Sequence, residues 1–173
     1  MSGSAVRRRW IAFAGLAAAV VIADQLTKSW VHATLVPGQP PMEVIGDLVR
    51  FVYGQNRGGI FGLFGDSATL LGLASAVVIV LIVVYQVREG MRSHWTLSVA
   101  LGLLLGGALG NLVDRVRFAY VIDWVDMGIG GMRWYTFNVA DAAISSALLL
   151  LVVIALAGER LPTPAGKAAA TQP

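Results

Sequence analysis

Four stretches without a Lys, Arg, Asp or Glu set the first constraint on this chain: 10–23, 67–87, 93–113 and 142–158. Each approaches the roughly 20 apolar residues that cross a bilayer as a helix, the form in which a spanning segment satisfies its own backbone. The first is short, but continuing it through Asp24 and Lys28 to Trp30 gives a full span, with the Lys28 stem long enough to snorkel outward. A chain that is 57% hydrophobic and 13% charged has lipid as its main solvent. The expected fold class is therefore an all-α membrane protein with four transmembrane helices, at roughly 10–30, 67–87, 93–113 and 138–158.

The net charge of +3 could suggest nucleic acid, but the basic residues are scattered among connections and form no stripe interleaved with aromatics, so no nucleic-acid partner is expected. Their pattern bears on topology instead. Arg7, Arg8 and Arg9 precede the first span, Arg88 and Arg92 lie in the second connection, and Arg160 and Lys167 follow the last. Four spans put these on one side, cytoplasmic by the positive-inside rule. The opposite connections carry Arg50, Arg57, Arg115, Arg117 and Arg133, so the orientation rests chiefly on the Arg7–Arg9 cluster. The absence of cysteine removes disulfides, thiol nucleophiles and thiolate metal sites, and with them any lipid modification of the chain itself. A cleavable signal peptide is the competing reading of the N-terminus, with 10–22 as its apolar core. Three further spans, and "DQLTKSW" continuing the helix without a turn residue, favour a retained span.

Residues 1–160 read as one membrane-embedded unit, and the Pro, Ala and Gly rich 161–173 as a disordered cytoplasmic tail. The segments 36–65 and 116–137 are substantial and share one side, the expected working surface. In the first, Met42–Ile45 and Leu48–Tyr53 flank "GD" and read as a small hairpin. In the second, an apolar "YVIDWV" precedes a glycine-rich turn within 127–132, then Trp134 and Tyr135 at interface depth. Glycines in "GLLLGGALGN", Gly102 and Gly106 among them, suit close helix packing.

Certain polar groups do not belong in lipid without a reason. Asp24 and Lys28, four apart, share a helix face and can pair, as a structural ion pair, as part of a site, or both. Asn56, with Gly58 and Gly59 beside it, reads by itself as a turn, though it offers an amide where backbone can approach closely. Asn111, Asp114 and Arg115 sit where the third span leaves the membrane, and adjacent Asp114 and Arg115 suit a charge-compensated cluster. Asp123 lies in an apolar strand pattern, where a carboxylate is costly unless protonated or shared. Asn138 and Asp141, three apart, open the fourth span on one face. If Asp123 and Asp141 meet, they can share one proton: the ionised carboxylate activates water and the protonated one polarises a carbonyl. No Ser-His arrangement or metal-ligand cluster competes, and His32 and His94 read as interfacial filler.

Five strings in order, "DQLTKSW", "NRGGIFG", "GNLVDR", "VIDW" and "FNVADA", resemble the lipoprotein signal peptidases, also called signal peptidase II. The resemblance implies a four-span aspartyl protease of the bacterial cytoplasmic membrane with Asp123 and Asp141 as the catalytic dyad. Asn56, Gly58, Asn111, Arg115 and Asn138 would stand around it, Asp24 and Lys28 would be the polar pair of the first span, and Asp114 the acid beside the arginine. It implies a diacylglyceryl-modified prolipoprotein substrate, cut just before the lipidated cysteine at the extracytoplasmic face. An outer β-cradle and a small interfacial helix would help hold the substrate, membrane lipids would surround it, globomycin would inhibit, and no metal or other cofactor would be needed. The alternative from another class is a small proton-coupled carrier or channel subunit, which calls for polar groups at mid-membrane on several helices. A scaffold packed through glycines is a third, and it leaves Asp123 and Asp141 without a role.

Overall fold

The computed structural model describes residues 3–58, 68–88 and 95–158. Its elements are α1 (Gly3–Thr34), β1 (Met42–Ile45), β2 (Val49–Asn56), α2 (Ala68–Arg88), α3 (Trp95–Phe118), β3 (Val121–Ile129), β4 (Met132–Arg133) and α4 (Val139–Gly158). All four helices are long and apolar enough to cross a membrane. This matches the expected class, four spanning helices with a small sheet. The expected tail lies outside the described residues; the small interfacial helix is not among the helices they form.

The bundle is organised around α3. More than half (56%) of its apolar window is buried, against 22% or less for the other three helices, which turn most of their surface outward as lipid-facing helices do. What lets α1 and α4 close on it is its glycine stripe. A Cβ at Gly102 would stand 2.8 Å from the Phe13 carbonyl, and one at Gly106 2.7 Å from Val20 Cβ, so α1 closes on backbone. A Cβ at Gly107 would stand 2.5 Å from the Ala140 carbonyl of α4. Close packing is thus the role of Gly102 and Gly106, and Gly107 extends it to a third helix.

The sheet is antiparallel in the order β1-β2-β3-β4. β2 runs three residues beyond the expected hairpin limit, to Asn56, because its far half pairs with β3, as in Gly54 with Asp123 and Asn56 with Val121. β3 likewise continues past "YVIDWV" to Ile129, and the glycine-rich stretch turns at Gly130, whose φ of 56° suits glycine, to pair Ile129 with Met132. Trp30, Phe51 and Trp124 meet edge to face, with centroids 4.9 to 6.4 Å apart, and seat the sheet on the end of α1.

Candidate functional site: two carboxylates at the end of the bundle

The start of α4 brings the first two polar groups together. Asn138 caps the helix: its Oδ1 accepts the Asp141 N–H at 2.9 Å, and the Asp141 carboxylate accepts the Asn138 N–H at 3.3 Å, a reciprocal capping box. The cap does more than end a helix, because the fully buried Asn138 also donates Nδ2 to Asp123 Oδ1 at 2.7 Å. One residue therefore ties both carboxylates, Asp123 by its side-chain amide and Asp141 by its backbone N–H.

Asp123 is 3% exposed, and its second oxygen accepts Asn56 Nδ2 at 2.9 Å. Asn56 is thus no mere turn residue: it ends β2 beside Asp123. Gly54, opposite Asp123 in the ladder, makes the approach possible, since a Cβ there would stand 2.9 Å from the Asp123 carbonyl. Burial, and then the neighbouring Asp141 charge, push the Asp123 carboxyl up to about 7, while the amides of Asn56 and Asn138 and the Lys28 charge pull the other way. Asp141 accepts Asn111 Nδ2 at 2.8 Å. Gly58, two residues past β2, is buried.

Behind these groups lies a second polar layer built on Lys28. Only 2% exposed, it does not snorkel; its ammonium meets Asp24 Oδ2 at 2.8 Å, Asp114 Oδ2 at 3.0 Å and Asn111 Oδ1 at 3.0 Å. Three acceptors for three N–H donors leave the desolvated charge fully paired, which an outward path would not have improved. Asp114 pairs with Lys28 and not with its neighbour Arg115, correcting the expected local cluster. Consecutive helical residues point about 100° apart, and Asp114 faces α1.

Each carboxylate of this layer also grips a backbone. Asp24 Oδ1 accepts the N–H of Ala140, the residue before Asp141, and Asp114 Oδ2 accepts the N–H of Ile122, the residue before Asp123, both at 3.0 Å. Gln25 points its amide at Asp24, Asp114 and the Gly110 carbonyl at 3.0 to 3.2 Å. Gly110 leaves room for this layer, as a Cβ there would stand 2.6 Å from Asp24 Oδ2. Gln25, Gly54 and Gly110 did not stand out in the sequence; their only signal was position inside or beside the quoted strings.

Among the described residues Arg115 takes no ion-pair partner within hydrogen-bond distance and its buried Nε has no partner; it donates Nη1 to the Asn111 carbonyl at 3.3 Å. It lines a cavity of about 1010 Å³ between α2, α3 and α4 that also contains Asn56, Asn111 and Asp141 at its polar end. Trp134 and Tyr135 stand in the wall of this cavity, a placement that interface depth alone did not indicate. Farther along it is apolar, with Val78, Leu104 and Leu148. Among the described residues no group of three or more His, Cys, Asp or Glu could hold a metal ion.

Comparison with known proteins agrees with this architecture. The family model described as Signal peptidase (SPase) II matches residues 16–157. The lipoprotein signal peptidase of Syntrophomonas wolfei is 39% identical over 142 residues, covering 82% of this chain and 91% of its own length. That of Rhodococcus jostii is 38% identical over 158 residues, covering 88% and 75%. Two solved structures, both described as a bacterial membrane enzyme, superpose with TM-scores of 0.78 and 0.72 at 27% and 29% identity, covering 87% and 82% of this chain and 91% and 90% of theirs. With its family model matched over most of its length, this four-span membrane protein belongs to the signal peptidase II family.

Proposed function

We propose that the chain is an intramembrane aspartyl endopeptidase that removes the signal peptide from diacylglyceryl-modified prolipoproteins by cutting just before the lipidated cysteine. The observation that carries this reading is the joining of Asp123 and Asp141 through Asn138, with Asp141 lining the polar end of a cavity whose remainder is apolar. A lipidated substrate reaches such a site sideways from the bilayer, its apolar segment along Val78, Leu104 and Leu148 and its scissile bond beside the carboxylates. The pair shares one proton, held preferentially at Asp123, whose burial favours the neutral form.

In the first step Asp141 takes a proton from water, the water oxygen bonds to the carbonyl carbon, and Asp123 gives its proton to the carbonyl oxygen. In the second, the tetrahedral intermediate returns its hydroxyl proton to Asp123, the C–N bond breaks, and the amine leaves with the proton held at Asp141. Both carboxylates end as they began. Arg115, charged and with donors to spare beside the cavity, serves the substrate backbone or the developing oxyanion. Asp24 and Asp114, joined by Lys28 and Gln25, hold the aspartates' backbones without touching substrate, and Asn111, which lines the cavity, holds the Asp141 carboxylate.

By the positive-inside argument both termini are cytoplasmic and the sheet and carboxylates face the extracytoplasmic side of the inner membrane. The family suggests globomycin as an occupant of the same cavity. The deciding experiment incubates purified protein with diacylglyceryl-modified and unmodified precursor peptides. Cleavage of the modified one alone, before cysteine, surviving a chelator and abolished by Asp123→Asn and by Asp141→Asn, is the expected result. Full turnover in either variant, or loss with chelator that zinc restores, overturns the mechanism. Proton flux into proteoliposomes without peptide cleavage would favour a carrier.

A further inference from the structure

The wall that closes the cavity over Asp141 is held by little regular structure. β4 is two residues long, residues 134–136 belong to no helix or strand, and a two-stranded hairpin is marginal by itself. Packing does not hold it either: Ile129 is 70% exposed, Met132 82% and Trp134 74%. Yet Arg133, Trp134 and Phe137 separate the cavity containing Asp141 from a second, apolar cavity of about 830 Å³ lined by Leu48 and Met127. An apolar hairpin between two apolar spaces has reason to collapse into one of them.

Ionic contacts oppose that collapse. Arg133 donates Nε to Asp126 Oδ1 at 3.0 Å, Nη2 to the Asp126 carbonyl at 3.2 Å, and Nη1 to the Asp47 carbonyl at 2.6 Å and to Asp47 Oδ1 at 3.1 Å. Arg50 donates to the other side of the same groups: Nε and Nη2 to Asp126 Oδ2 at 2.9 and 2.6 Å, Nη1 to Asp47 Oδ1 at 3.0 Å. Asp47 Oδ2 in addition accepts the Gly130 N–H at the hairpin turn. Two carboxylates and two guanidiniums thus clamp the β1–β2 turn to the β3–β4 hairpin. Although burial opposes it, the hydrogen bonds and charges of Arg133 and Arg50 hold the Asp126 carboxyl below its ordinary range, so the clamp stays charged. The next residue, Trp134, donates its N–H to the Met127 carbonyl at 2.7 Å.

We infer that this clamp of Asp47, Arg50, Asp126 and Arg133 is a positioning device for the substrate wall: by anchoring Arg133 it holds Trp134 at the cavity, so that Asp126 governs substrate affinity without touching substrate. Asp47, Arg50 and Asp126 line neither cavity, so any influence on binding passes through the hairpin. The inference rests on the proposed peptidase reading.

Its test is a double-variant cycle in steady-state cleavage of a diacylglyceryl-modified precursor peptide in mixed micelles. Asp126→Asn removes charge-assisted bonds to two arginines and is expected to raise KM about tenfold, with kcat within about twofold and the pH profile unmoved. Asp126→Glu is expected to recover most of the loss. In a Trp134→Ala background Asp126→Asn is expected to change KM by less than about twofold, because the wall it positions is gone. If Asp126→Asn does not fold, the same cycle is run with Asp47→Asn, whose side chain is 45% exposed, with a smaller rise expected. An unchanged KM, a loss confined to kcat, or an undiminished KM effect without Trp134 overturns the clamp while leaving the peptidase reading intact. Failure of the unsubstituted protein to cleave overturns both.

Discussion

Replacing Asn138 separates two jobs that one side chain performs. Its Oδ1 caps α4 by accepting the Asp141 N–H, and its Nδ2 donates to Asp123 Oδ1. Asn138→Ala removes both; Asn138→Ser keeps a capping oxygen but is too short to reach Asp123. A lost cap costs about 1 kcal/mol of stability. A lost hydrogen bond that leaves its acceptor unpaired in this fully buried position costs about 1–3 kcal/mol, and that cost falls on the pair of carboxylates. At about 1.4 kcal/mol per tenfold, turnover should drop roughly ten- to a hundredfold in both variants. Melting temperature should fall further in Asn138→Ala than in Asn138→Ser, by the few degrees that about 1 kcal/mol represents. Measuring precursor cleavage and thermal unfolding on the same two preparations decides. If Asn138→Ser recovers turnover together with melting temperature, Asn138 is only a cap and its assignment to the carboxylate pair is wrong.

The pH profile of turnover should be bell-shaped, with its alkaline limb near 7 where Asp123 loses its proton, and Asn56→Ala should move that limb upward because the Asn56 amide favours the ionised form; a limb that moves down contradicts the assignment. Since the folded Asp123 binds its proton more tightly than an unfolded aspartate near 3.9, its contribution should make stability fall as pH rises from about 4 to about 7 and level off above, an effect absent from Asp123→Asn in unfolding scans across that range. Lys28→Met should cost about 3–5 kcal/mol by stranding Asp24 and Asp114, whereas Lys28→Met with Asp24→Leu and Asp114→Leu should recover only part of that, because the N–H groups of Ala140 and Ile122 lose their acceptors, and none of the turnover; recovery of turnover would deny the layer any part in the site. Gly107→Ala should destabilise by about 1–3 kcal/mol, since the Ala140 carbonyl cannot yield, while Gly15→Ala, with nothing within 4 Å, should not; equal melting points would refute the packing argument. Thiol reagents that do not cross the membrane should label Gln39→Cys and Gly131→Cys but not Ser93→Cys in intact cells, and labelling at Ser93→Cys alone would invert the topology.

What could be read from the sequence followed from the solvent. In lipid a run of apolar residues long enough to span has one fold open to it, so four helices were legible, and a polar residue near such a run stands out because it is expensive there. Asp24, Lys28, Asn111, Asp123, Asn138 and Asp141 stood out in this way, and all of them meet in one polar cluster. Partner choice did not follow from proximity in the chain. Lys28 pairs with Asp114, 86 positions on, because the glycines of α3 bring that helix against α1, and nothing local distinguishes this from a pairing of Asp114 with Arg115. The clamp escaped notice for the opposite reason. Asp47, Arg50, Asp126 and Arg133 lie in polar connections where charges are ordinary, and only the register of β2 on β3, Arg50 against Asp126, joins them.

That register also bears on why a membrane protein would keep three buried charges behind its two aspartates. A buried ion pair is weak support for stability, since apolar residues of similar volume often do as well. Here the carboxylates have a second occupation that no apolar residue can fill: Asp24 and Asp114 accept the N–H groups of Ala140 and Ile122, in the first turn of α4 and in the opening residues of β3. Left unmade in a dry environment, each would cost on the order of 1–3 kcal/mol. The bonds also aim the residues that follow, Asp141 and Asp123, from two different elements toward one residue, Asn138. Lys28 then holds the two grips at a common distance, because one ammonium cannot satisfy carboxylates that drift apart. The ion pair's contribution is therefore geometric, fixing the separation of the two aspartates that share a proton in the proposed mechanism.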